Sequence, residues 1–424
     1  MKKKIIVRGP ALSRSGYGEQ TRFALRALRT KEDEYDIYLI NVGWGQTNSI
    51  HEDNEERRWI DMMILKTQKY MKVFEQQKRP PEFDMSLQIT IPNEWEPMAP
   101  VNIGYTAGIE STKIAEAWID KSNMMDKIIV VSKHAKFGFD KTIYGTVDPN
   151  TGGPGPSKRV TTPVDVVNYA VRNIEPKDLD LELDTDFNFL TVAQWGPRKN
   201  LKNTIKWFVE EFNDDNVGLV VKASLKSHNV IDRHYLQEKL ENMLRKYPDR
   251  KCKVYLLHGD MSEEELFGLY THPKIKAMVS LTHGEGYGLP LFEAAYNGLP
   301  VIAPDWGGQC DFLYGPGKNK KNKPLFVRVD YDVKHIQDSA VWDNVLIKDS
   351  MWCYPLESSS KSKMRKFYKS PGVYKKSAKV LKETVIEKFS EEKIYNDFVT
   401  ALEPPAPAVE NADSQGEYEE VYVV

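Results

Sequence analysis

Short runs of β-branched and aliphatic residues alternate with stretches of helical periodicity along most of the chain. In the first half, apolar runs predict strands over residues 5–7, 37–42, 85–91, 101–105 and 128–132, with extended chain again at 165–169. A glycine-bearing turn follows the first run. A helix is predicted after it, because Phe23, Ala24, Ala27 and Leu28 recur at the spacing of one helical face.

The second half repeats this alternation more regularly. Strands are predicted over residues 187–192, 217–223, 254–257, 277–281 and 301–303. Helices are predicted over residues 201–212, 232–246 and 290–297, and Ser262 with Glu265 forms a capping box at a further helix start. Because strands separated by helices build parallel sheets with right-handed crossovers, we predict two doubly wound α/β domains.

Changes in composition set the predicted boundaries. Residues 1–175 form the first domain, and the acidic, aperiodic stretch 176–186 is the linker. Residues 187–378 form the second domain, and a helix is expected over 379–402. Residues 403–424 are rich in proline, alanine and acid and contain no basic residue, so we predict a disordered tail.

Bulk composition narrows the class of protein. The chain has 424 residues, of which 41% are hydrophobic, and a net charge of −2, so it has no global electrostatic preference for nucleic acid. Three widely spaced cysteines indicate free thiols and a cytoplasmic location rather than a disulfide framework or a zinc site. The apolar runs are too short for a secretory signal or a membrane span, so neither is expected.

The loop after the strand at 277–281 carries the most informative residues. Gly284, Gly286 and Gly288 allow the backbone to approach a ligand closely, and Pro290 suits the first turn of the next helix. Free amides and the positive end of the helix dipole there would bind a diphosphate. Two carboxylates in the same stretch are suited to accepting hydrogen bonds from sugar and ribose hydroxyls: Glu285 and Glu293.

These residues, HGEGYGLPLFEAAYNGLPVIAPDWGG, resemble the E-x7-E signature of the group 1 retaining glycosyltransferases, which have the GT-B fold. The resemblance is strongest over residues 187–312 and looser over the first half and the last helix. It implies two Rossmann-like domains facing a cleft, with a catalytic contact from Glu285 to the donor sugar and a contact from Glu293 to the ribose. It also implies that the backbone of a four-residue stretch binds sugar and phosphate: Gly286, Tyr287, Gly288 and Leu289.

A second segment, residues 192–200, looks like the strand, loop and helix in which that family places its phosphate-binding cations. Lys199 matches the family lysine and is expected to act in catalysis on the leaving diphosphate. Gln194 stands where the family has arginine, so the second cation differs from the pattern. Arg198 and Lys222 are the two candidates to replace it.

The first domain is expected to hold the acceptor. Its turn, with Gly16 and Gly18, resembles the family's glycine loop facing the donor phosphates. Four residues near this loop or after predicted strand ends are candidates for the acceptor side: Tyr17, Glu110, Ser132 and His134. The helix at 379–402 resembles the family's C-terminal helix that crosses back to the first domain.

Together these features predict a retaining glycosyltransferase that uses a UDP- or GDP-linked sugar and needs no metal or other cofactor. The Asp pairs at 178/180 and 184/186 are read as solvated linker acid. The acceptor stays open among a glycan, a lipid-linked sugar, a protein and a modified DNA base, as does the oligomeric state. DNA is suggested by lysine-rich residues 318–323 and 361–382, although a solvated charged face is favoured. The alternatives are a sugar-nucleotide epimerase of the same fold and a non-catalytic sugar-nucleotide-binding protein.

Overall fold

The computed structural model describes residues 2–317 and 321–404. Two six-stranded parallel sheets, each covered by helices, form its two domains. Most of the predicted acidic tail (405–424) and part of the lysine run (318–320) lie outside the described residues. No helix in the described ranges combines the length and apolar character needed to cross a bilayer.

The N-terminal domain contains strands β1–β8 and helices α1–α4. In chain order these are β1 Lys3–Gly9, α1 Gly16–Arg29, β2 Tyr35–Asn41, α2 Glu55–Gln76, β3 Met85–Ile89, β4 Val101–Thr106, α3 Glu116–Ser122, β5 Lys127–Val130, α4 Lys133–Lys141, β6 Ile143–Val147, β7 Pro154–Arg159 and β8 Val164–Val166. The sheet order is β2-β1-β3-β4-β5-β8, with all pairs parallel, while β6 and β7 form a separate antiparallel hairpin. Ile5, Ile6 and Val7 of β1 are fully buried, because β1 is an inner strand of a sheet that helices cover on both faces.

The C-terminal domain repeats this plan. Its elements are β9 Asn188–Gln194, α5 Leu201–Phe212, β10 Gly218–Ser224, α6 Val230–Leu244, β11 Lys253–Leu257, α7 Glu263–Thr271, β12 Ile275–Val279, α8 Leu289–Tyr296, β13 Val301–Pro304, β14 Tyr314–Pro316, β15 Asn322–Pro324, β16 Val327–Val329, β17 Tyr331–His335, β18 Met351–Pro355 and α9 Glu357–Lys369. The main sheet has the order β11-β10-β9-β12-β13-β16. The antiparallel hairpins β14–β15 and β17–β18 form two separate two-stranded sheets.

The predicted fold class is confirmed by these two parallel sheets with intervening helices. Helix α5 has the predicted bounds, and α7 begins with the predicted capping box between Ser262 and Glu265. The structure also contains helix α2 and three antiparallel hairpins that were not predicted from the sequence.

The expectation of one helix over residues 379–402 was wrong. Two helices occupy this region, α10 Pro371–Lys388 and α11 Glu391–Ala401. The break falls at Phe389, which leaves helical geometry (φ −118°, ψ 34°) and packs its ring 5.6 Å from Phe292. Helix α10 lies on α8 of the C-terminal domain, and α11 lies on α1 of the N-terminal domain. Only α11 therefore makes the crossing.

Candidate functional site

A cleft of about 1250 Å³ separates the two sheets at the carboxyl ends of their strands. The N-terminal wall includes the glycine-bearing first turn of α1 and the loop after β4. The C-terminal wall includes the ends of β9 and β10 and the start of α8. Ligands of open parallel sheets bind at this edge, because the strand-to-helix loops converge there.

The glycine loop 284–288 packs directly against the N-terminal domain. A Cβ atom on Gly284 would clash with the carbonyl oxygen of Glu110, and one on Gly286 would lie 2.6 Å from the carbonyl oxygen of Ala107. Gly288 has a φ of 93° and forms the N-cap of α8, a conformation that favours glycine. Because Gly284 and Gly286 have no side chains, the loop can pack against the backbone of the N-terminal domain. This close packing places the start of α8 at the cleft.

Glu285 lies at the centre of an ion-pair network. Lys199 Nζ is 2.7 Å from both of its carboxylate oxygens, and Arg198 Nη1 is 3.2 Å from Oε2. Arg198 Nη2 also reaches Glu110 Oε1 of the N-terminal domain, at 3.1 Å. The structure thus brings together four residues that were predicted separately from the sequence.

Local backbone contacts position the two cations. Asn200, in the left-handed region at φ 52°, turns the chain from β9 into α5 and donates its side-chain amide to Leu281 O at 2.9 Å. His283 N donates to Arg198 O at 2.8 Å. The loop before α5 is therefore fastened to the loop after β12, which carries Glu285.

Burial and charge act in opposite directions on this network. Burial raises the pKa of Glu285, but the charges of Lys199 and Arg198 outweigh it, and the net pKa lies below the usual range. Burial lowers the pKa of Lys199 below its usual value, although Glu285 opposes that change. The carboxylate of Glu285 is therefore ionised at neutral pH, and Lys199 and Arg198 balance its charge and that of Glu110.

Glu293, at the start of the second turn of α8, has different surroundings. Tyr270 on α7 donates its hydroxyl to Glu293 Oε2 at 2.8 Å. Burial raises the pKa of Glu293 to about 8, and the nearby carboxylates of Glu19 and Glu263 act in the same direction. The carboxyl group is therefore protonated at neutral pH in the absence of a ligand.

The N-terminal glycine turn has the geometry of a helix cap. Ser15 Oγ accepts from Gly18 N at 3.0 Å, and a Cβ atom on Gly18 would clash with the carbonyl oxygen of Ser13. Gly16 and Tyr17 line the cleft, whereas Gly18 is buried behind them. Gly18 is therefore required by close packing, whereas Gly16 lies where a ligand in the cleft could contact the backbone.

The candidates for a second phosphate cation occupy different places. Arg198 adjoins Lys199, while Lys222 lies deeper at the end of β10, where burial lowers its pKa to about 8. Gln194 also lines the cleft, and its side-chain amide donates to Leu225 O at 2.9 Å. Only Arg198 shares the carboxylate of Glu285 with Lys199.

Two predicted acceptor residues do not line the cleft. Ser132 caps α4 and donates its hydroxyl to Gly286 O at 2.6 Å, so it joins the domains. His134 packs edge-on against Trp306, with ring centroids 4.7 Å apart, and burial lowers its pKa to about 4. His283 Nδ1 donates to the carbonyl oxygen of Cys353 at 2.8 Å and has a structural role.

A charged cluster in the cleft was missed from the sequence. Glu19 and Arg26 of α1 pair with each other, and Arg172 lies 3.6 Å from Glu19 and 3.1 Å from Glu263 of α7. Burial opposes ionisation of Glu19, but the arginines prevail and lower its pKa to about 2. Charged residues at positions 19, 22 and 26, on one helical face after a glycine turn, were the available signal.

Within residues 2–317 and 321–404, no three His, Cys, Asp or Glu side chains are grouped closely enough to hold a metal ion. The three cysteines are free thiols.

No family model matches the chain. A stretch of 121 residues, 28% of the chain, is 32% identical to the serotype-specific mannosyltransferase WbdA of Escherichia coli, and the match spans 13% of that protein's length. The chain therefore corresponds to a small part of the curated relative it matches.

Similarity to solved structures covers nearly the whole chain. HepE of Anabaena, in complex with UDP and glucose, aligns with a TM-score of 0.59 at 11% identity, covering 94% of this chain and 99% of that one. Sucrose-phosphate synthase of Thermosynechococcus elongatus aligns with a TM-score of 0.59 at 13% identity, covering 94% and 98%. A glycosyltransferase of Rickettsia africae gives 0.58 at 13% identity, covering 95% and 98%. The chain thus has the GT-B fold, with two Rossmann-like domains facing a cleft.

Proposed function

We propose that this chain is a retaining glycosyltransferase of group 1 that transfers a sugar from a nucleotide diphosphate sugar to a hydroxyl acceptor. The observation that carries the proposal is the contact of Lys199 with Glu285 beside the N-terminus of α8. A carboxylate for sugar hydroxyls, a cation and free helix amides then converge on one point of the cleft.

The donor is a UDP- or GDP-linked sugar. The complexes of HepE with UDP and glucose and with UDP-glucose support UDP, because HepE shares the fold over almost the full length of this chain. The name of WbdA, a mannosyltransferase, supports a hexose. Glu293 would accept the ribose hydroxyls, and the amides of residues 286–289 would bind the diphosphate.

Transfer breaks the bond between the anomeric carbon and the diphosphate oxygen. Negative charge develops on the leaving diphosphate, and Lys199 and Arg198 would stabilise it there, where preorganised charge contributes most. The acceptor hydroxyl would attack from the face that the diphosphate leaves, so the anomeric configuration is retained. A donor phosphate oxygen would take the hydroxyl proton, and no protein base or metal ion enters this scheme.

Transfer also requires that water be kept away from the donor, and contacts between the two walls of the cleft would serve this purpose. Contacts such as those of Arg198 with Glu110 and of Ser132 with Gly286 hold both walls together around the donor, which would exclude water from the reacting bond. The free thiols fit a reaction in the cytoplasm.

The test begins with a thermal-shift screen of UDP- and GDP-sugars. Products formed with acceptor pools in the presence of EDTA are then detected by mass spectrometry, and proton NMR determines their configuration. A new glycoside that retains the donor's anomeric configuration supports the proposal. An isomerised donor formed without any acceptor would identify an epimerase. Binding without turnover would identify a binding protein, and a strict metal requirement would contradict the metal-free scheme.

Variants then test the site. Lys199→Ala should lower kcat by about a hundredfold or more, because a buried cation that stabilises the leaving group is lost. Glu285→Gln should lower it by a similar factor. Lys239→Ala on the exposed face of α6 is the matched control and should leave kcat unchanged. Full activity of Lys199→Ala with an unchanged melting temperature would refute the site assignment.

A further inference from the structure

The segment joining β17 to β18, residues 336–350 (the strap), leaves the C-terminal sheet and contacts the N-terminal domain. Val345 is 6% exposed and packs in the apolar cluster that contains Ile114 and Trp118 of the N-terminal domain. Met351 N, directly after the strap, donates to Thr112 Oγ1 at 3.0 Å. The strap therefore bridges the two domains.

A tight turn fixes the middle of the strap. Trp342 N donates to Leu346 O at 2.9 Å, and Leu346 N donates back to Trp342 O at 2.8 Å. Asn344, between them, has a φ of 60° and accepts at its carbonyl oxygen from Asn93 Nδ2 at 3.1 Å. The backbone of Trp342 is thus held from both sides, by its own turn and by the N-terminal domain.

The side chain of Trp342 nevertheless stays open to solvent. It lines the cleft and is 62% exposed, whereas Trp95, Trp118 and Trp352 nearby are fully buried. An indole on a rigid backbone offers a large flat apolar face at small cost in conformational entropy. Such a face binds ligands that present a flat, partly apolar surface, including the C–H face of a sugar ring.

The charges around Trp342 select among such ligands. Glu94 also lines the cleft; its side chain is 41% exposed, and its Oε2 lies 4.0 Å from Arg8 Nη2, a distance that leaves the carboxylate able to accept further hydrogen bonds. It directly follows Asn93, which holds the turn, and Asp343 directly follows Trp342 and is exposed. Carboxylates accept hydrogen bonds from hydroxyls and repel phosphates, so this surface favours a neutral, hydroxyl-rich ligand over a nucleic acid.

We infer that Trp342 and Glu94 form an acceptor subsite for an uncharged saccharide, which stacks a sugar ring on the indole and donates hydroxyls to the carboxylate. This inference rests on the proposed function for its link to transfer, since the subsite lies in the cleft that holds the donor site. It assigns the acceptor to the saccharides, and it places the recognition of the acceptor partly on a segment of the C-terminal domain.

The test measures saccharide binding without a donor. Saturation-transfer NMR is recorded with maltose, cellobiose and mannobiose on the full chain and on Trp342→Ala, Trp342→Phe and Tyr235→Ala. Tyr235 is the matched control, an aromatic side chain that is 55% exposed on α6 away from the cleft. Trp342→Ala should weaken binding about three- to tenfold and Trp342→Phe less, while Tyr235→Ala should leave it unchanged.

Three results would overturn the inference. One is equal binding by the wild type and Trp342→Ala, and another is the absence of binding by the wild type to all three saccharides. The third is binding of a short single-stranded DNA oligonucleotide that Trp342→Ala abolishes, which would assign the indole to nucleic acid. Saccharide binding without any response to UDP- or GDP-sugars would refute the proposed function alone, so the two failures are distinguishable.

Discussion

Glu285 lies in the loop before α8 and Glu293 lies within α8. Their surroundings shift the pKa values of the two carboxyl groups in opposite directions. Lys199 and Arg198 keep Glu285 ionised, whereas burial beside Tyr270 holds Glu293 protonated up to a pH of about 8. A protonated carboxyl group cannot accept hydrogen bonds fully at both oxygens. If Glu293 binds the ribose diol as proposed, accepting a hydrogen bond from each hydroxyl favours its ionised form.

This difference predicts proton release on donor binding. At pH 7 donor binding should release up to one proton from Glu293, and affinity should rise with pH until about 8 and then level off, because the ionised form binds more tightly. Calorimetry in two buffers of different ionisation enthalpy measures the released proton. Glu293→Gln should abolish the buffer dependence, and a buffer-independent enthalpy in the wild type would contradict the prediction.

For individual residues, the sequence predicted most of the candidate donor-binding residues and fewer of the candidate acceptor-binding residues. Glu285, Lys199 and the glycines belong to continuous segments whose spacing is visible in one dimension. The contact of Arg198 with Glu110 joins two domains, so no local spacing could indicate it. His134 followed a predicted strand end, yet it turns toward Trp306, because side-chain direction depends on the packing of both domains. Trp342 lies in a loop without periodicity.

The capping box at the start of helix α7 fixes the position of Glu263, which lines the cleft. Its capping box holds the first turn, with Ser262 N donating to Glu265 Oε2 at 3.1 Å and Glu265 N to Ser262 Oγ at 3.2 Å. Glu263 in that turn reaches Arg172 across the cleft. This element could be predicted from four residues, because its two capping hydrogen bonds lie within them.

Removing the cap should therefore destabilise the element measurably. Ser262→Ala should lower the free energy of unfolding by about 1 kcal/mol, because one amide at the helix start loses its partner. Chemical denaturation measures the change. Ser362→Ala, at an exposed position within α9, is the control and should cost nothing measurable. A loss in Ser262→Ala no larger than in Ser362→Ala would show that the cap does not stabilise α7.

The break between α10 and α11 could not be predicted from periodicity, since apolar residues recur on both sides of it. Phe389 is buried against Phe292 of α8, and that packing interrupts the helix. Similarly, α2 was not expected, although it runs from Glu55 to Gln76. Several of its apolar side chains are exposed, so its pattern of burial is weak: Met62, Leu65 and Val73.

At the scale of the whole molecule, helix α11 follows the C-terminal domain in the chain but packs into the core of the N-terminal domain. Phe398 of α11 is fully buried, with its ring 5.3 Å from Phe23 and 5.1 Å from Tyr105. Phe398→Ala should lower the free energy of unfolding by about 3–5 kcal/mol, because the cavity opens in the core of the N-terminal domain. Denaturant unfolding measures the loss, with Ile386→Ala, 43% exposed on α10, as the mild control. A cost below about 1 kcal/mol would show that α11 is not part of that core.

The position of α11 also constrains the order in which the protein can fold during its synthesis. The ribosome releases α1 and the first sheet early, but the helix that covers Phe23 and Tyr105 is made only after the second domain. Until then, the nascent first domain carries an open apolar face. Its folding is completed only after the second domain has been made, and during that interval the nascent chain presents an uncovered apolar surface.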